Sequence, residues 1–222
     1  MAVYRKEMYI LSEGKPVPVV VRNYTETDFD ELIAIQAECF PPPFPSELWW
    51  SKEQLSSHIT LFPQGALTVE VDGILAGSMT GLRTRFDQAH PEHTWAEATD
   101  EGYIRNHQPD GDTLYVVDIS VRPAYRKLGI GQLLMQSMYH VVIQEGALRL
   151  LGGGRMPGYH IVADKMSAAE YLSAVVRGEL RDPVISFLLR CGRTPVAVTE
   201  NYLDDEESCH YGALMEWRNP FK

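Results

Sequence analysis

The sequence predicts an α/β fold, a mixed sheet of about six to seven strands flanked by helices. Three observations carry that prediction. Runs rich in β-branched residues alternate with segments of helical apolar spacing along the whole chain. Asp72-Gly73 stands between two strand-like runs, the signature of a two-residue hairpin turn. Residues 113–151 read as strand, helix, strand, which sets the two strands parallel. At 222 residues the chain fits a single domain, residues 1–222, with its own core.

Val17–Asn23 is a first strand. Thr25, Thr27 and Asp28 supply helix-start chemistry, and Phe29, Leu32, Ile33, Ile35 and Gln36 carry helical spacing up to Phe40. The prolines of 41–45 end that helix, because proline lacks the donor and clashes with the preceding turn. A second helix covers about Ser51–Leu61. Ala66–Val71 and Ile74–Arg83 form the hairpin. Residues 84–112 are a long polar excursion with a short helix at Trp95–Thr99. Thr113–Val121 is the best strand in the chain. A helix follows over about Gly129–Glu145, capped by Gly146, and then a short strand, Leu148–Leu151. Residues 152–181 form a second insertion with a helix near Ser167–Arg177. Asp182-Pro183 opens a helix that ends at Gly192, and Pro195–Glu200 and Cys209–Trp217 are closing strands.

Composition excludes several classes. Twenty basic against thirty acidic residues give a net charge of −10, which argues against nucleic acid and anionic membrane as partners. No apolar run approaches the ~20 residues of a membrane span. Met1–Ile10 mixes Arg5, Lys6 and Glu7 among apolar residues and does not read as a signal peptide. Cys39, Cys191 and Cys209 are odd in number and far apart, so they read as reduced thiols of a cytoplasmic protein. His90 and His93 share a loop without further ligands nearby, so no metal is expected.

The chemistry concentrates in Val117–Leu134, VDISVRPAYRKLGIGQLL. A strand feeds a loop that opens a helix with Gly129 and Gly131 in its first turn. The first amides of a helix lack internal partners and the dipole is positive there, which makes a pyrophosphate cradle. Arg126 and Lys127 add full charges. A P-loop is excluded because GxxxxGK[ST] is absent. A dinucleotide fingerprint is excluded because Leu134 occupies the third glycine position.

Arg126-Lys127-Leu128-Gly129-Ile130-Gly131, with Ile119-Ser120-Val121-Arg122-Pro123 before it, resembles the signature of the GNAT superfamily, the acetyl-CoA-dependent N-acetyltransferases. The order of elements from Val17 to Trp217 is similar as well. GGRMPGYH (153–160), DPVISFLLRCG (182–192) and NYLDDEES (201–208) look like a narrower group often fused to nitrilase-type carbon–nitrogen hydrolases. The resemblance implies a GNAT-like sheet in which two parallel strands, Thr113–Val121 and Leu148–Leu151, splay apart. It implies direct acetyl transfer from acetyl-CoA to a primary amine of a small molecule. The pyrophosphate would rest on Arg126, Lys127, Leu128, Gly129, Ile130, Gly131 and Gln132, and the pantetheine arm on the backbone of Ile119, Ser120 and Val121. A homodimer and a nitrilase-type hydrolase partner are both compatible with it. The tyrosine that many relatives carry four residues before the helix-closing glycine is Leu188 here. A non-catalytic CoA-binding sensor or scaffold module is therefore the alternative.

Three residues are candidates for proton transfer. Asp118 lies mid-strand and is either a base acting through water or a structural carboxylate. Tyr115 is three residues earlier, so strand alternation sends it to the opposite face, as a pocket wall or as core. His160, after Tyr159, has a suitable intrinsic pKa, and otherwise merely steadies its loop. Arg155 either binds an anion or forms a surface ion pair. Trp49 and Trp50 either close over the acceptor or pack. Asp204–Glu207 is a solvated turn or a lure for a polycation. The two insertions are expected to cover the acceptor side of the cleft.

Overall fold

The computed structural model describes residues 4–42 and 44–222. The first three residues and Pro43 of the proline run lie outside the described residues. The strands are β1 (Arg5–Ser12), β2 (Lys15–Asn23), β3 (Ala66–Val71), β4 (Ile74–Thr84), β5 (Thr113–Val121), β6 (Arg149–Arg155), β7 (Thr194–Thr199) and β8 (Gly212–Arg218). They form one eight-stranded sheet in the order β1-β2-β3-β4-β5-β6-β8-β7, in which β5 and β6 are the parallel pair.

The sheet has one strand more than expected. The addition is β1, which pairs antiparallel with β2 from Arg5↔Arg22 to Ser12↔Lys15. Its Arg5, Lys6 and Glu7 broke the apolar alternation in the sequence. At a sheet edge such charges are in place, because they discourage pairing with a further chain. The parallel strand after the long helix is also longer than Leu148–Leu151. Gly152–Arg155 continues it, so the second insertion begins after the strand. Glycines carry little strand propensity, but β8 pairs with every residue of β6 from Arg149↔Arg218 to Arg155↔Gly212.

The helices are α1 (Phe29–Cys39), α2 (Lys52–Leu61), α3 (Trp95–Thr99), α4 (Ile130–Gln144), α5 (Ala168–Val176) and α6 (Pro183–Arg190). α4 packs on one face of the sheet, its Met138 3.5 Å from where a Cβ on Gly81 would stand. The side chain of the preceding residue, Thr80, points to the other face, where α1 and α2 lie. There the Tyr24 hydroxyl bonds to His58 Nδ1 of α2 at 2.9 Å and to Thr80 Oγ1 at 3.0 Å. His58 Nε2 in turn donates to the Gly102 carbonyl at 2.6 Å. Residues 84–112 are thus stitched to the α2 face and bury Ile104 completely. No helix among the described residues is long and apolar enough to cross a membrane.

Candidate active site

β5 and β6 pair only through Thr113↔Arg149, Leu114↔Leu150 and Tyr115↔Leu151. Beyond that point β6 bonds to β8 and β5 to β4, and the two parallel strands separate. The gap opens into a cavity of about 170 Å³, several times the ~30 Å³ share of one water. Val116–Ile119 and Gly152–Arg155 form its strand walls. Val184, Phe187 and Leu188 of α6 close one side, and Gln36, Trp50, Trp95 and Tyr202 face it from the other elements.

At the open end of β5, the loop into α4 has the shape that an anion requires. Gly129 is the helix N-cap at φ +83°, and no side chain caps the helix. A Cβ on Gly129 would meet nothing within 4 Å, so the space over the first amides is open. Lys127 also adopts positive φ, +66°, a backbone conformation found in anion-binding loops. Arg126 is exposed and its Nε donates to the Val121 carbonyl at 3.1 Å, holding the loop against the strand end. Gly131 lets Phe187 of α6 approach, since a Cβ there would stand 3.1 Å from the ring. The Arg126–Gln132 segment therefore fits a pyrophosphate, and the unpaired edge of Ile119–Val121 fits an extended amide-bearing arm entering the gap.

Asp118 faces the cavity halfway along β5. It accepts from Gln36 Nε2 at 2.9 Å and from Ser120 Oγ at 2.8 Å. Burial disfavours its charge and pushes its pKa up to about 6, against the pull of those two donors. It is poised to exchange protons near neutrality. Gln36 was visible in the sequence as a polar residue on the apolar stripe of α1, but nothing there showed what it would meet.

Tyr115 does not lie on the opposite face from Asp118. β4 pairs Thr80 with Asp118 and Leu82 with Tyr115, and its register shifts between Thr80 and Gly81. Val117 is the extra residue of a β-bulge, and it resets the alternation. Thr80 and Leu82 share a face of β4, so Asp118 and Tyr115 share that face of β5. The Tyr115 hydroxyl is buried and bonds to the Tyr202 hydroxyl at 2.9 Å and to His93 Nε2 at 2.8 Å. His93 Nδ1 donates to the Pro91 carbonyl at 2.7 Å, so its Nε2 is the accepting nitrogen of a neutral ring. Burial lowers the pKa of His93 and keeps the ring neutral, while it raises Tyr202 to about 12. A hydrogen-bonded line thus runs from Tyr202 at the cavity wall through Tyr115 to His93. His93 and Trp95 belong to the 84–112 insertion, and Trp95 Nε1 donates to the Val117 carbonyl of the bulge at 2.9 Å.

The structure does not bring His160 to this site. It is exposed, its Nδ1 shared between the carbonyls of Pro157 at 2.8 Å and Glu207 at 3.0 Å, and it does not line the cavity. Arg155 does line it, but its charge is taken: Nε and Nη2 grip Asp205 at 2.7 and 2.6 Å, with Glu207 at 3.0 Å. Asp205 is accordingly buried and held below its ordinary pKa by Arg155 and Ser208, against the effect of burial, rather than solvated in a turn. Trp50 is 4% exposed and forms cavity wall, edge-on to His58. Leu188 presents an apolar surface to Gly154, 2.7 Å from a Cβ position. Tyr202, Gln36, His93 and Trp95 escaped the sequence reading because only the fold gathers them.

The sequence profile of the acetyltransferase (GNAT) family matches residues 29–153, which contain β5, the glycine loop and the first part of β6. The chain belongs to the GNAT family. It is 56% identical over 216 residues to the uncharacterized N-acetyltransferase YkwB of Bacillus subtilis (strain 168), covering 97% of this chain and 96% of that protein. It is 40% identical over 202 residues to the probable hydrolase YhcX of the same organism, covering 90% of this chain but 39% of YhcX. Among solved structures, the GNAT-like decarboxylase GphF in complex with isobutyryl-CoA superposes with a TM-score of 0.75 at 23% identity, over 90% of this chain and 98% of that one. That likeness establishes the shared fold.

Proposed function

We propose that this GNAT enzyme transfers an acetyl group from acetyl-CoA to a primary amine of a small molecule. The observation that carries the reading is the uncapped, open N-terminus of α4 leading along the free edge of β5 to Asp118 in a partly open gap. The solved GphF complex supports an acyl-CoA as the donor class. The cavity's small volume and its cover by Trp50, Trp95 and Tyr202 favour a compact acceptor over a folded protein.

The amine nitrogen attacks the thioester carbonyl carbon, and its proton passes through water to the Asp118 carboxylate. A backbone amide of the bulged part of β5 is our candidate donor to the oxyanion. As the tetrahedral intermediate collapses, the carbon–sulfur bond breaks with its electron pair on sulfur. A carboxylic acid of pKa about 6 gives its proton downhill to a thiolate whose conjugate acid lies near ~8.5. Asp118 is then base and acid in one cycle, which removes the need for the tyrosine that Leu188 replaces. Tyr202 at the cavity wall, with Tyr115 and His93 behind it, offers a second route for protons. The free cysteines suit a reducing compartment, so we place the protein in the cytoplasm.

The test is calorimetry with acetyl-CoA and CoA, followed by thiol release against an amine panel. Binding with turnover supports the reading, and no binding of either nucleotide at high micromolar concentration refutes it. A second reading, a CoA-binding module that serves a hydrolase, is favoured by the match to 39% of YhcX. It predicts tight CoA binding with no turnover of any amine.

A further inference from the structure

Partly buried arginines in this protein face carboxylates. Arg22 pairs with Asp28 and Glu70, Arg83 with Glu145, Arg122 with Glu31 and Glu38, Arg149 with Glu216, and Arg155 with Asp205 and Glu207. Arg193 is more deeply buried than any of these, at 2% exposure, and no carboxylate among the described residues pairs with it. It donates from Nη2 to the Met215 carbonyl, and its Nε has no partner. The titratable groups around it are Tyr139, Tyr115, Cys191 and Tyr202, all neutral near pH 7, so none supplies a negative charge. Desolvation lowers its pKa to about 10, which leaves it a cation at neutral pH. A buried cation without a counter-ion is costly, and this one lines the cavity.

Its place along the gap is fixed. Met215 pairs with Gly152, the first residue beyond the last β5–β6 pair, Tyr115↔Leu151. Arg193 is therefore anchored at the closed end of the gap. The Gly129 loop lies at the open end, tied to Val121 through Arg126, and Asp118 stands between the two. On the acyl-CoA reading, a thioester entering from the loop end would direct its acyl chain toward Arg193, which lines the same cavity as Asp118.

We propose that Arg193 recognises a carboxylate of the substrate at the closed end of the cavity, carried either by the acyl chain or by the amine acceptor. This rests on the acyl-CoA reading above and names the substrate class it leaves open. Guanidinium is suited to the task because its fork matches a carboxylate and it stays charged. The incoming acid would supply the missing counter-ion, and a neutral ligand of the same shape would leave the cation unpaired.

The experiment has two arms on the intact chain. In the first, calorimetry compares malonyl-CoA and succinyl-CoA with propionyl-CoA and butyryl-CoA. In the second, kcat/KM is compared for glycine and β-alanine against methylamine and ethylamine, with acetyl-CoA as donor. The carboxylate-bearing series is expected to win in one arm by about tenfold to a hundredfold, and the winning arm identifies the carrier. Arg193→Met should erase that preference while CoA itself still binds, and Arg193→Lys should keep part of it. Because a buried substitution can unfold the chain, the wild-type panels decide alone: no preference in either arm overturns the proposal. So does a preference that survives in Arg193→Met. Intact CoA binding alongside such a failure leaves the acyl-CoA reading standing, whereas absent CoA binding overturns both.

Discussion

Tyr115 and Asp118 lie three residues apart on one strand and point to the same face, because the bulge at Val117 inserts a residue between Leu82↔Tyr115 and Thr80↔Asp118. That one irregularity puts a carboxylate and the Tyr202–Tyr115–His93 line on the same side of the gap. It also breaks the strand ladder where a backbone amide would serve an oxyanion.

In the proposed mechanism Asp118 shapes the pH dependence. With its pKa raised to about 6 by burial, Asp118 should add a limb to kcat/KM at about pH 6, below the further rise set by deprotonation of the acceptor amine at ~10. Asp118→Asn should lose that limb and lower kcat/KM by about a hundredfold. The affinity for CoA, held elsewhere, should stay unchanged. A pH–rate profile paired with calorimetry checks both parts.

Gly129→Val should abolish CoA binding. At φ +83° a β-branched residue is strained, and its side chain would fill the open space over the α4 amides. Gly131→Leu should weaken binding for a different reason, since its Cβ would stand 3.1 Å from the Phe187 ring and push it aside. Thermal melts should show both variants folded while titration calorimetry shows no heat for the first.

Gly153→Ala tests the cavity wall. A Cβ there would stand 2.1 Å from the Tyr202 ring, so Tyr202 must leave its place and its bond to Tyr115. Loss of about 2 kcal/mol or more of stability is expected from such overpacking. A drop in the urea midpoint larger than for Tyr202→Phe is the check. Tyr202→Phe itself keeps the ring and should lower kcat about tenfold with little change in CoA affinity.

Two buried groups oppose each other in acid. His58 is held neutral, its pKa lowered to about 4 by burial. The unfolded chain takes up that proton below about 6.5, so stability falls as pH drops toward 4, by about 2 kcal/mol at pH 5. Asp118 has the reverse sign. Its folded pKa is raised, so the folded state binds its proton first and regains about 1 kcal/mol between pH 7 and pH 5. Asp118→Asn should therefore show the steeper acid loss. Urea midpoints of both proteins at pH 7 and pH 5 measure it.

The loop proposed to hold the cofactor was legible in the sequence because it is local. Strand, glycine loop and helix N-terminus occupy consecutive residues, and their chemistry is set by backbone conformation. Of the wall proposed for the acceptor, only Trp50 had been raised from the sequence. That wall is assembled from Gln36, Trp50, Trp95, Tyr202 and Arg193, which only the sheet order brings together. Alternation placed Tyr115 wrongly because a bulge leaves no mark in residue type, and His160 looked apt on intrinsic pKa alone. β1 was hidden by edge charges that a strand in the sheet interior would not carry.

The last of the eight strands in chain order, β8, is inserted between β6 and β7 and pairs with both. Since β6 owes most of its ladder to β8, one wall of the cavity has no fixed position until residues 212–218 have been made. The nascent chain can assemble β1 to β5 and the glycine loop early, by local pairings, yet it holds only half of the gap. Acquisition of activity should thus be an all-or-none event once β8 has been made, and a chain cut before Gly212 should lose its cavity while retaining its hairpins.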